Sequence, residues 1–138
     1  MNTTPITIQA AINAPLTKIW NYWNTPEHIM KWAFASADWE APAASNDLRV
    51  GGKFSTTMAA KDKSASFEFE GVYSVVDPQS RIEYDMSDGR QVNIVFEQVG
   101  ESVQVTQTFD PETQNSRELQ QQGWQSILDN FKKYVESN

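Results

Sequence analysis

Cysteine is absent from this sequence, and histidine occurs once, at His28. The first absence rules out disulfides and thiolate-held metals; the second rules out a site built on several imidazoles. Basic residues are scarce as well, 11 against 18 acidic ones, which leaves a net charge of −7. That balance repels a phosphate backbone, and no stripe of lysine or arginine offsets it, so nucleic acid is not an expected partner. No apolar run approaches the roughly 20 residues of a membrane-crossing helix. Met1 to Ala14 lacks the basic start and apolar stretch of a signal peptide. A cytoplasmic protein with no membrane span and no cofactor is the expectation. What the chain has in quantity is aromatic rings: five Trp, four Tyr and seven Phe. They serve either a well-filled core or the lining of a pocket.

The length of 138 residues suits one domain over 1–138. Ile6, Ile8, Ala10 and Ile12 alternate with polar neighbours, which predicts a half-buried strand. Pro15 fits the first turn of a helix carrying Leu16, Ile19, Trp20 and Trp23. Thr25 as cap, Pro26 at the first helical position and Glu27 near the positive end predict a second short helix over 26–32. Strand patterns follow: a proline-interrupted edge over 38–44, then Phe54 to Ala60. In the next strand Phe67, Phe69, Gly71, Tyr73 and Val75 share one face. Ile82 to Met86, Val92 to Phe96 and Val103 to Phe109 complete the set. After Ser116 the period changes to three and four, with Leu119, Trp124, Ile127, Leu128, Phe131, Tyr134 and Val135 marking a helix over 117–136. Strands segregated from helices indicate an α+β class. Each strand has one apolar face, and only the last helix is long enough to cover it. A curved antiparallel sheet of about six to seven strands wrapped around that helix is therefore expected.

Several strings carry a resemblance. They are Ala14-Pro15 with Ile19-Trp20, Thr25-Pro26-Glu27 leading to Lys31-Trp32, and Asp47-Leu48-Arg49-Val50-Gly51-Gly52-Lys53-Phe54. Phe69-Glu70-Gly71-Val72-Tyr73 and Gly123-Trp124 complete them. From about Ile6 to Val135 the chain resembles the START-like (SRPBCC, helix-grip) superfamily. Within it, the chain resembles the family of the C-terminal domain of the activator of the heat-shock protein 90 ATPase. That resemblance implies a helix-grip fold with a cavity between sheet and C-terminal helix, and with it a role in ligand binding or stress response. Strand alternation placed on that fold puts Trp32, Trp39, Phe54, Phe69, Tyr84, Phe96, Gln120, Gly123 and Trp124 around the cavity as its candidate ligand-binding residues.

Candidate chemistry elsewhere is sparse. His28 has no cysteine or serine constellation beside it and reads as a solvated surface residue. Glu68 and Glu70 share a strand face and suggest an acid–base pair, but Phe67 and Phe69 claim the inner side and leave them in water. Asp47 and Arg49 would either grip an anion or fix the loop before Gly51-Gly52. Gly123, at a cost of about 1 kcal/mol inside a helix, marks either a pocket wall or close contact with a bulky strand residue such as Phe69 or Tyr84. No catalytic residue is assigned. Three roles are consistent with this sequence: a carrier or sensor of a small hydrophobic molecule, a partner of a chaperone ATPase, and a cyclase- or hydrolase-type enzyme using the same cavity. A monomer and a homodimer are both compatible with it.

Overall fold

The computed structural model describes residues 4–138. Strand β1 (Ile6–Ile12) leads into two short helices, α1 (Leu16–Asn24) and α2 (Pro26–Trp32). Six further strands follow: β2 (Trp39–Asn46), β3 (Lys53–Ala60), β4 (Ser66–Asp77), β5 (Arg81–Met86), β6 (Gln91–Val99) and β7 (Ser102–Phe109). The chain then forms α3 (Arg117–Ser137). All neighbouring strands are antiparallel, in the order β1-β7-β6-β5-β4-β3-β2. β2 to β7 thus form one continuous meander, and β1 closes its far side on β7. The sheet curls into a half-barrel around α3, an α+β helix-grip arrangement as expected. Among the described residues no helix is long and apolar enough to cross a membrane.

Local signals behave as their chemistry dictates, with some differences. Ser116 caps α3, its hydroxyl accepting from the Leu119 amide at 3.1 Å. Pro15 stands one residue before α1 rather than inside its first turn, and its carbonyl accepts from the Ile19 amide. Thr25 does not cap α2 with its side chain; its hydroxyl donates back to Asn21 Oδ1 at 2.9 Å. Leu119, placed by period on the covered face, is 56% exposed, because the first turn of α3 projects past the sheet. In β4, pairing jumps from Tyr73 opposite Tyr84 to Val75 opposite Glu83. This bulge moves the inward position from Val75 to Val76, which packs on the core.

The interior is continuous from β1 across the sheet to α3. Ile8, Ile12, Val92, Val103, Val105 and Phe109 of the sheet are almost fully buried, as are Leu128, Phe131 and Val135 of α3. Each such side chain contributes about 1.5–3 kcal/mol through burial. Rings gather at the α1–α2 end. Phe131 meets Trp23 and Trp32 edge-on, both at 4.8 Å between centroids, and Phe96 meets Trp20 at 5.3 Å. The Trp32 indole donates to the Tyr22 carbonyl, and Asn130 donates to the Trp32 carbonyl, so α2 is tied to both its neighbours.

The outer margin of β1 is met by polar side chains of α3. Gln125 donates to the Gln9 carbonyl, Lys132 donates to the Ala11 carbonyl, and Glu136 accepts from the Asn13 amide. Lys132 and Glu136 also pair with each other one helical turn apart.

Candidate functional site

A cavity of about 630 Å³ lies between the inner face of the sheet and the first half of α3. Its floor is made by Trp23, Ile29 and Trp32 of α1 and α2. Its walls come from Phe54, Thr56 and Met58 of β3, Phe69 and Tyr73 of β4, and Ile82, Tyr84 and Met86 of β5. Ile94 of β6, Gln107 of β7, and Trp124 and Ile127 of α3 complete them. Phe67, Ser87, Asp88, Gln114 and Asn115 line it too and are themselves solvent-exposed, so they mark the mouth.

Of the nine residues predicted to surround this space, the structure puts Trp32, Phe54, Phe69, Tyr84, Gln120 and Trp124 on its wall. The rings are held apart by mutual contacts rather than collapsed. Trp124 stacks on Phe109 at 3.9 Å and 8°, and Phe69 stands edge-on to it at 5.8 Å. Phe54 meets Tyr84 edge-on at 4.6 Å. An edge contact of this kind is worth about 0.5–1.5 kcal/mol beyond burial, which favours the open arrangement over side chains tipping inward.

The other three are elsewhere. Trp39 packs on Phe67 at 6.0 Å at the first position of β2, opposite Ala60 and not among the residues lining the cavity. Phe96 is buried against Trp20 and Trp23, behind the floor. Gly123 lies on the flank of α3; a methyl group added there would meet nothing within 4 Å, so it neither lines the cavity nor permits a close contact.

The polar groups divide into occupied and unoccupied ones. Gln120, expected to orient a guest, is committed to the loop before α3. Its amide oxygen accepts from the Glu112 amide, and its nitrogen donates to the carbonyls of Glu112 and Asn115. Tyr73 donates to Asn46 Oδ1 at 2.5 Å, and Asn46 in turn donates to the Asn24 carbonyl. Tyr84 is different: only 5% exposed, its hydroxyl has no hydrogen-bond partner among the described residues. Burial pushes its phenol well above the usual tyrosine range, with Tyr73 adding to the shift and the nearby Arg90 charge opposing it, so it stays protonated. Gln107, 7% exposed, likewise has an amide without a partner among the described residues. The sequence carried a signal for Gln107: it interrupts the apolar face of Val103, Val105 and Phe109.

Of the remaining candidates, His28, Asp47 and Arg49 fall outside the cavity, and Glu68 and Glu70 contribute to its lining. His28 is half-buried rather than solvated, stacked on Tyr22 at 3.8 Å and sharing a 2.8 Å hydrogen bond with Tyr134. The Glu68 carboxylate accepts from Ser55 and Thr57 on the outer face of the sheet. Asp47 and Arg49 pair with each other in the exposed loop before Gly52, where an added methyl group would sit 2.0 Å from the Asp47 carbonyl. Their role is to shape that turn. Among the described residues no cluster of three or more His, Asp or Glu side chains is placed to hold a metal ion.

The geometry has counterparts among known proteins. The family model for activator of Hsp90 ATPase homolog 1-like proteins matches residues 13–136. The solution structure of an AHSA1-like protein from Aeromonas hydrophila is 44% identical, covers 96% of this chain and 92% of its own, and superposes with a TM-score of 0.91. A solution structure from Cytophaga hutchinsonii is 54% identical over 96% of this chain and 92% of its own, with a TM-score of 0.83. A protein from Nitrosomonas europaea, only 18% identical, covers 97% of this chain and 95% of its own at a TM-score of 0.82, and so shares the fold. No curated protein matches the sequence. With its START-like helix-grip fold and a family match over nearly its whole length, the chain belongs to the activator of Hsp90 ATPase homolog 1-like family.

Proposed function

We propose that this protein binds a small apolar or aromatic molecule in the cavity between the sheet and α3, without covalent chemistry. The observation that carries the reading is an aromatic-walled space of about 630 Å³ lined by two polar side chains, Tyr84 and Gln107, that have no hydrogen-bond partner among the described residues. Ligand pockets are of this size and composition, apolar with a few placed polar groups. Both side chains open on the cavity, where a guest can hydrogen-bond with the phenol or the amide. His28 lies away from the cavity, and the Glu68 carboxylate is taken up by Ser55 and Thr57, so the two do not face each other there, which supports binding over turnover.

The test is thermal unfolding with and without 2-naphthol, a neutral bicyclic probe, read together with tryptophan fluorescence. Saturation at about 100 times the dissociation constant should add about 2.7 kcal/mol of stability, with quenching of Trp124. Thr56→Trp, which fills the cavity from β3, should remove both responses while the protein stays folded. If neither 2-naphthol nor any neutral bicyclic homologue shifts unfolding, and native mass spectra of the purified protein carry no retained molecule, the reading is wrong.

A further inference from the structure

Arg90 is the only Lys, Arg or His side chain among the residues lining the cavity. It precedes β6 and, by alternation with Val92, Ile94 and Phe96, projects on the inner face; its carbonyl accepts from the Met86 amide, which sets it opposite the end of β5. Its Nε donates to Asp88 Oδ2 at 2.7 Å, while its backbone amide donates to Asp88 Oδ1 at 3.1 Å. The two terminal nitrogens have no partner among the described residues, and the side chain is only 23% exposed. A guanidinium with its outer edge free, beside the unpaired hydroxyl of Tyr84, makes a polar corner at the mouth of an aromatic chamber.

We infer that the ligand is amphipathic, an aromatic or otherwise apolar body carrying one carboxylate-type anionic head, with the head held by Arg90 and Tyr84. This rests on the cavity-binding reading above and deepens it. A carboxylate accepts from guanidinium nitrogens and from a phenol at once, and such charge-assisted bonds are roughly twice as strong as neutral ones. The surrounding acids do not cancel the corner. Asp88 is occupied by Arg90 itself, and the Glu112 carboxylate accepts from the amides of Gln114 and Asn115. Glu68 is bound by Ser55 and Thr57 on the outer face, which Glu70 shares by alternation. A cationic head would face Arg90, while Glu68 and Glu70, which contribute to the lining, sit at strand positions whose side chains alternate to the outer face.

The experiment compares 2-naphthylacetic acid with 2-naphthylacetamide by titration calorimetry at pH 7, in wild type, Arg90→Met, Tyr84→Phe and Asp88→Asn. The acid is expected to bind wild type at least tenfold more tightly than the amide. Arg90→Met should bring that ratio close to one while amide binding persists, and Tyr84→Phe should lower acid affinity several-fold. Asp88→Asn, which breaks the same ion pair but keeps the guanidinium, should preserve or raise the ratio and so separates anion recognition from loop structure. Equal binding of acid and amide to wild type, or tighter binding of the amide, overturns the anionic head and leaves the cavity reading standing. Binding of neither probe overturns both.

Discussion

The two halves of α3 face the same sheet and do opposite things with it. Leu128, Phe131 and Val135 in the second half are at most 1% exposed, and Phe131 packs against the rings of Trp23 and Trp32. In the first half, Trp124 stacks on Phe109, meets Phe69 edge-on and lines the cavity, Gln120 is turned toward its own loop, and a methyl group added at Gly123 would meet nothing. One end of the helix is an anchor and the other is a wall. A single amphipathic stripe thus provides rigidity at one end without filling the other.

The largest expected effect probes that contrast directly. Phe131→Ala should cost about 3–5 kcal/mol in urea unfolding, the usual range for a fully enclosed ring. Trp124→Ala, although it removes a larger ring, should cost only about 2 kcal/mol, because much of what it touches is already void. Equal losses would erase the distinction between anchor and wall.

Next in size is a pH effect strongest in the hollow half. Tyr73 and Tyr84 both have phenols raised above their ordinary value by burial. The unfolded chain therefore releases these protons near pH 10, while the folded chain keeps them. Stability is full below pH 10 and falls above it, by about 1.4 kcal/mol per pH unit for each tyrosine. Tyr84→Phe should roughly halve that alkaline slope in unfolding midpoints measured from pH 9 to 11. The smallest effect belongs to the helix itself. Gly123→Ala should gain about 1 kcal/mol, since the added methyl group meets no neighbour and the backbone loses freedom only in the unfolded state.

This contrast also marks how far the sequence could be read. Period placed most elements, with α2 marked by its Thr25-Pro26-Glu27 start, because the alternation in β3, β6 and β7 and the three-four spacing of α3 are set by which side meets the core. It failed where geometry departs from the period: at the bulge after Tyr73, at the overhanging Leu119, and at Phe67, which is 51% exposed at the cavity mouth. The rings around the cavity were legible as inward-facing residues, but the space between them was not, since a packed ring and a wall ring have the same alternation. Trp39 and Phe96 show this: they have the same chemistry as Phe69 and Trp124, yet lie outside the cavity. Gln107 was readable as a polar residue in the apolar register of β7, whereas Arg90 reads from the sequence simply as a turn residue beside Gly89. Their significance depends on donors left unused, which only three-dimensional placement reveals.

The helix side chains that reach the outermost strand have a further consequence. An open sheet margin offers unpaired carbonyls and amides to any extended segment that drifts by, and growth of ordered polymers begins there. Gln125, Lys132 and Glu136 already occupy the outward groups of Gln9, Ala11 and Asn13. A newcomer strand must evict three partners fixed to the most rigid element of the molecule before it gains its first bond. At the opposite margin, Pro42 cannot donate at all and the neighbouring bulge breaks the register. The curled sheet is thus closed to recruitment along both rims, and the way left into the interior is the mouth beside Arg90.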